Sequence, residues 1–251
     1  MIESTGVSVL LVDDDSVLAE LTADILSERE SQFTVETSTS ASEGLDRLAA
    51  NDFDCIVSDY DMPGQNGIEF LKNVREDYPA LPFILYTGQG SEAVASDAIA
   101  AGVTDYLQKE SGTGQYTVLA NQIRNAVERH RQRERAQATR DRLRQIIDML
   151  PQLVFAKDET GEFLLANEAT ADAYGTSVSN LEGSTDADFA DSEEEVSQFR
   201  SDDQTVIESG EPKHIPEEAL TTADGKTRLL ETTKIPYDPV ETNSSAVLGI
   251  S

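Results

Sequence analysis

Short apolar runs alternate with stretches of helical periodicity through the first half of this chain, and few folds absorb such an alternation. VSVLLV (residues 7–12), FTVETS (33–38), FDCIVSD (53–59), PFILYTG (82–88) and VTDYLQK (103–109) read as strands. Between them, Leu18, Leu21, Ile25 and Leu26 recur at helical spacing behind a Ser16 cap. SEGLDRLAAN, GIEFLKNVRED and SEAVASDAIAAG, then TVLANQIRNAVERH, supply four more helical segments. Five strand–helix units in the first 125 residues or so predict an α/β doubly wound, five-stranded parallel sheet with helices on both faces.

The strands end in polar residues. Asp13 and Asp14 close the first, Asp59 the third, Thr87 the fourth and Lys109 the fifth. A sheet of this class puts its sites outside the carboxyl ends of its strands, near a switch in strand order. In isolation, Asp59 and Asp61 read equally as a solvated turn before Pro63 and Gly64. Together the carboxylates would repel one another, which makes a divalent cation their natural companion, and magnesium takes oxygen ligands of this kind. With that charge offset by the ion and by Lys109, Asp59 can act as an oxygen nucleophile toward phosphorus.

On LLVDDDS, IVSDYDMPGQNGIEFL, ILYTGQG and DYLQKE, the first 125 residues resemble the receiver domain of two-component response regulators (CheY-like). The resemblance implies a flavodoxin-like strand order of 2-1-3-4-5, with Asp59 as phosphoacceptor. It implies Mg2+ held by Asp13, Asp14, Asp59 and the main-chain carbonyl of Asp61. Thr87 and Lys109 would bind the phosphoryl group, and Thr87 with Tyr106 would form the switch, Tyr106 alternatively being a half-buried aromatic on an edge strand. The implied partner is a histidine kinase or a phosphotransfer protein. No enzyme activity is implied beyond phosphoryl transfer to the chain's own Asp59 and the later loss of that group. Two positions depart from the family: Glu110 stands where Pro, often cis, is usual after the lysine, and Gly88 follows Thr87 where Ala is frequent. The GQG run (88–90) follows a fourth strand and lacks a Walker lysine, so it is no nucleotide loop. The D-x-D of Asp59 and Asp61 also heads haloacid dehalogenase-like phosphohydrolases, but those carry it on the first strand.

Charge narrows the partners. The 251 residues hold 48 acidic and 19 basic side chains, a net charge of −29, and six of the basic residues are Lys. Such an excess repels itself at low salt and suits a halophilic, salt-adapted cytoplasm. It argues against nucleic-acid binding by the bulk surface. The single cysteine, Cys55, excludes an internal disulfide and a cysteine-rich zinc site. The N-terminus does not read as a signal peptide, and no apolar run reaches the length of a membrane span, so the expectation is a cytoplasmic protein.

Residues 126–145 continue the last helix as a linker. From Asn121 to Asp148 there are eight Arg and four acids, a local charge of +4. Leu143, Ile146, Ile147 and Leu150 resume a helical seam after a polar stretch between His130 and Arg142. That pattern fits a parallel coiled coil and hence a homodimer, or a solvated single helix.

Pro151 breaks the helix. LVFAKDETGEFLLAN then predicts two strands around a turn, Asn167 caps the helical NEATADAYG, and EEEVSQFRSDDQTVIESG is helical again. HIPEEALTT, TRLLETTKIPY and AVLGIS predict three more strands, making an α+β arrangement around a five-stranded antiparallel sheet. On DETGEFLLANEATADAYG, NLEGSTDADF and LLETTKIPYD, residues 146–251 resemble a PAS domain, which implies a small-ligand, dimerisation or relay role. The ligand is unknown or none: without Cys in this half no flavin–cysteinyl adduct forms, and His214 lies in a strand rather than a haem-bearing helix. The organisation expected is thus a receiver at 1–125, a linker at 126–145 and a PAS domain at 146–251. It stands alone or forms the N-terminal regulatory part of a larger sensor histidine kinase.

Overall fold

The computed structural model describes residues 6–88, 92–110, 112–190, 192–239 and 245–251. The chain divides into two units, Met1–Ala136 and Gln137–Ser251. In the first, β1 (Val7–Val12), β2 (Phe33–Ser38), β3 (Cys55–Ser58), β4 (Phe83–Thr87) and β5 (Asp105–Gln108) form one sheet in the order β2-β1-β3-β4-β5. Every pairing in it is parallel. The intervening helices are α1 (Ser16–Arg29), α2 (Ala41–Ala50), α3 (Gly67–Asp77), α4 (Glu92–Ala100) and α5 (Gly114–Asp148).

Strand alternation sorts the apolar side chains onto two faces. Val9, Leu11, Cys55, Val57, Ile84 and Tyr86 pack against Ala19, Ala23 and Leu26 of α1 and Leu119, Ile123 and Val127 of α5. Leu10, Val12, Ile56, Phe83 and Leu85 face the other way, onto Leu48 of α2, Phe70, Leu71 and Val74 of α3 and Ala98 of α4. Both faces are covered, which is why these strands read as continuous apolar runs.

Two expectations about α1 change. Its cap is Asp15, whose side chain accepts from the Val17 and Leu18 amides, because a carboxylate one residue earlier reaches both orphan donors. Its buried face is Ala19, Thr22, Ala23 and Leu26, leaving Leu21 half exposed, since small residues let the helix approach the sheet closely. The last helix continues through residues 126–145 as expected, 35 residues running without a break from Gly114 to Asp148.

The second unit holds β6 (Val154–Asp158), β7 (Phe163–Ala166), β8 (Lys213–Thr221), β9 (Thr227–Tyr237) and β10 (Ala246–Ile250). They form an antiparallel sheet in the order β7-β6-β10-β9-β8. Helices α6 (Glu168–Tyr174), α7 (Val178–Leu181) and α8 (Glu193–Ser209), with a 3-10 turn at Asp186–Asp188, occupy the connection from β7 to β8. Asn167 is the expected cap of α6 and does more: its side chain accepts from the Val154 and Thr170 amides and donates to the carbonyls of Ile147 and Gln152. Gly249 in β10 is required by packing, because a Cβ there would lie 2.2 Å from the Phe155 ring.

Candidate functional site

The parallel ladder delivers the site. The Asp59 amide donates to the Val12 carbonyl (2.8 Å), and the Lys109 amide donates to the Thr87 carbonyl (2.8 Å). The last residues of β1 and β3, and of β4 and β5, are therefore level at one edge, across the point where strand order reverses. Lys109 Nζ lies 2.7 Å from Asp13 Oδ2 and 2.7 Å from Asp59 Oδ1. Two carboxylates far apart in sequence thus share one ammonium.

Backbone donors aim the carboxylates. Asp59 Oδ2 accepts from the Asp61 amide (2.7 Å), and Asp13 Oδ1 accepts from the Asp15 amide (3.0 Å). Below Asp59 the chain re-enters as α3, capped by Asn66 and Glu69 in reciprocal hydrogen bonds. Gly67 opens that helix under the Asp59 carbonyl, where a Cβ would stand 2.2 Å from the oxygen and 2.8 Å from Leu85 Cδ1. Only glycine lets α3 start this close to the phosphoacceptor loop.

Asp13, Asp59 and Thr87 are buried, whereas Asp14 and Asp61 are exposed at the rim. Burial raises the Asp13 carboxyl above its ordinary value, the bond and charge of Lys109 opposing it without cancelling it. Burial would also lower Lys109, but its bonds to Asp13 and Asp59 outweigh that and hold the ammonium above its usual value. The Tyr86 ring, its centroid 5.6 Å from Nζ, backs the charge from the core side. Tyr106 lies opposite Leu85 in the ladder and packs on the α3 face of the sheet, with its hydroxyl buried and without a hydrogen-bond partner among the described residues.

The expected residues Asp13, Asp59 and Lys109 converge, with Thr87 adjacent in the ladder and Asp14 beside them. Among the described residues no group of three His, Cys, Asp or Glu side chains closes around a metal position. The donor set still fits Mg2+, which is held by one or two carboxylates with waters and a phosphate rather than by an all-protein cage. The expected departure after Lys109 is real in consequence: the Glu110 amide, which proline would lack, donates a hydrogen bond. Of the GQG run, Gln89 and Gly90 fall outside the described residues. Gly67 and Tyr86 were not anticipated; the only signal was the helix start in QNGIEF and the apolar character of ILYTG.

A second charged cluster lies inside the antiparallel sheet. Lys157 of β6 contacts Asp186 at 2.7 and 2.6 Å, and Lys234 of β9 lies 2.7 Å from Asp203 Oδ1 and 3.1 Å from Glu218 Oε1. Burial would lower Lys234, but the charges of Asp203 and Glu218 outweigh it and raise its value. Tyr174 donates to Asp186 (2.6 Å), and burial, then the Asp186 charge, pushes its hydroxyl well above the usual range. Phe155 and Phe163 flank Lys157 at 4.9 and 4.4 Å. The adjoining cavity measures about 20 Å³, room for about one water molecule.

Residues 9–121 match the family of the response regulator receiver domain, and residues 147–251 match the PAS fold. The response regulator protein FleR of Pseudomonas aeruginosa is 39% identical over 101 residues, covering 40% of this chain and 21% of FleR. The chemotaxis protein CheY-3 of Vibrio cholerae is 32% identical over 106 residues, covering 41% of this chain and 81% of CheY-3. A solved receiver domain protein from Clostridium thermocellum is 28% identical, with 50% of this chain and 97% of that one covered and a TM-score of 0.45. The chain spans less than half the length of the first curated relatives it matches.

Proposed function

The chain belongs to the response regulator receiver family and carries a PAS fold after it, and on that premise we propose that Asp59 takes up a phosphoryl group in two-component signalling. The observation that carries this reading is Lys109 Nζ at 2.7 Å from both Asp13 and Asp59 on the carboxyl edge of the sheet. An Asp59 carboxylate oxygen attacks the phosphorus of a phosphohistidine on a kinase or phosphotransfer protein. The phosphorus–nitrogen bond breaks, its electron pair leaves with the imidazole, and an acyl phosphate remains on Asp59. Lys109, already at the carboxylate, pairs with a phosphoryl oxygen, and the Thr87 hydroxyl bonds another. Asp13, Asp14, Asp59 and the Asp61 carbonyl would hold Mg2+, which when bound offsets the charge gathered by carboxylates and phosphate. Incubation with acetyl phosphate and Mg2+ should label the protein, and Asp59→Asn should abolish the label; equal labelling of the variant sinks the reading.

In this reading residues 1–125 are the receiver, 126–145 a helical linker and 146–251 the PAS domain. Phosphorylation would move Thr87 and turn the Tyr106 ring, shifting the β4–β5 side of the receiver beside α5. The exposed Leu143 and Ile146 near the end of α5 support pairing of that helix in a homodimer. An unchanged sedimentation coefficient on adding beryllofluoride, a phosphoryl mimic, would remove that support. The small cavity and the ion pairs beside it support a PAS core that relays without haem or a flavin adduct. No helix among the described residues is long and apolar enough to cross a membrane, which accords with a cytoplasmic setting. The charge of −29 supports adaptation to salt: the thermal midpoint should rise markedly from low to molar salt, and a flat response would show the charges to be harmless.

A further inference from the structure

One side-chain oxygen ties together the two strands that end in Thr87 and Lys109. Gln115, in the first turn of α5, accepts through Oε1 from the Tyr86 hydroxyl (2.5 Å) and from the Glu110 amide (3.0 Å). A backbone amide can only donate, so the oxygen of Gln115 must face it and the orientation of the side-chain amide is settled. Each donor is next in sequence to a residue of the phosphoryl site. Tyr86 precedes Thr87, and Glu110 follows Lys109. Tyr86 also presents its ring to Lys109 Nζ at 5.6 Å, and burial, with the Tyr116 and Asp13 charges adding, keeps its hydroxyl protonated and donating.

Lys109 is therefore restrained from three directions. Its own amide is bonded to Thr87, the next amide is bonded to Gln115, and the ring behind its ammonium is bonded to the same oxygen. We infer that Gln115 is a positioning residue for phosphoryl transfer, holding Lys109 against Asp13 and Asp59. This rests on the proposed phosphorylation of Asp59. Gln115 touches neither carboxylate in the structure and acts through Tyr86 and Glu110.

Without the oxygen, two donors lose their partner and the backbone after Lys109 is free to move. Gln115→Ala should lower the acetyl phosphate labelling rate at saturation about tenfold, the factor matching loss of one neutral hydrogen bond at the reacting geometry. The acetyl phosphate concentration giving half-maximal rate should not change. Gln115→Glu, which keeps the acceptor, should restore the rate to within about threefold of wild type. Hydrogen exchange of the Glu110 amide, read by NMR, should speed up in Gln115→Ala and recover in Gln115→Glu. Tyr86→Phe keeps the ring and opens no cavity, so it tests the staple even where Gln115→Ala folds poorly, and it should lower the rate by a smaller factor. Wild-type rates in both Gln115→Ala and Tyr86→Phe, or a Gln115→Glu variant as slow as Gln115→Ala, would overturn the role of Gln115. A wild-type protein that takes no label would overturn the phosphorylation reading instead.

Discussion

At the rim of the parallel sheet, Lys109 holds two carboxylates with 17% of its side chain exposed; inside the antiparallel sheet, Lys157 and Lys234 hold three with 2% and 1% exposed. Both clusters set lysines on carboxylates, and their shortest contacts match at 2.6–2.7 Å. What differs is the surroundings. At the rim, one ammonium faces two carboxylates and leaves a negative charge open to solvent, where a cation and a phosphoryl group can reach it. In the core, two ammoniums face three carboxylates, and all five groups are enclosed with Phe155, Phe163 and Phe199. Each carboxylate there contacts an ammonium or a hydroxyl with no opening to solvent. On the proposed function, the ion pair at the edge is placed for chemistry and the one sealed in the core for the integrity of the fold.

Removing one partner from each cluster should separate the two uses. Lys234→Met matches the length of the lysine stem but strands Asp203 and Glu218 in the core. Breaking a buried pair in this way costs about 3–5 kcal/mol. Denaturant unfolding followed by circular dichroism should show the loss in the transition of the second unit, with Asp59 labelling unaffected. A loss below about 1 kcal/mol would mean that water already reaches the cluster and that the contrast is false.

Lys109→Met should do the reverse. The Asp13 and Asp59 side chains are buried, but they lie at the sheet edge beside the exposed Asp14 and Asp61, where water can replace the ammonium. They also keep the bonds from the Asp61 and Asp15 amides. The folded state should therefore change little, while acetyl phosphate labelling slows by about 100-fold, the scale for removing one charge-stabilising donor from a reacting centre. A large drop in stability with labelling intact would place Lys109 with the core lysines.

The rim was legible in the sequence because parallel strands end level: Asp13, Asp59, Thr87 and Lys109 each close an apolar run, and the fold class alone brings such ends together. The core cluster was not. Lys157, Asp186, Asp203, Glu218 and Lys234 come from five separate elements and sit in polar or alternating sequence, where a lysine reads as solvent-facing. Only the pairing of β6 with β10 and of β10 with β9 brings the two lysines onto one inner face. Most element positions were legible too, including all of GIEFLKNVRED and TRLLETTKIPY, since their periodicity and caps agree. The short α7 and the 3-10 turn at Asp186–Asp188 escaped because four and three residues are too few to show a period. On α1, periodicity marks Leu18, Leu21, Ile25 and Leu26, while close packing buries Leu26 together with the small Ala19, Thr22 and Ala23.

A third setting, the open surface, extends the contrast and should give the smallest effect. Arg47 lies between Glu43 (2.9 Å) and Glu36 (3.2 Å), all three side chains being 35–40% exposed. Glu43 also accepts from the Thr39 amide at the start of α2, and that bond, followed by the bond from Arg47, lowers its carboxyl to about 2. A carboxyl lowered on folding binds its proton less tightly in the folded state, so it adds stability above its unfolded value of 4.5. That contribution fades as the pH falls from 4.5 toward about 2. Solvent screening shrinks it well below what the shift alone would give, into the range of about 0–1 kcal/mol typical of exposed pairs. Glu43→Gln should therefore lower the thermal midpoint slightly at pH 7, and the gap to wild type should close as the pH is taken down through that window. Molar salt should narrow the gap at pH 7 as well, because exposed charges are screened while those around Lys234 are not. A gap that persists at pH 2, or that salt leaves untouched, would show that Glu43 acts through its shape at the helix start rather than through its charge.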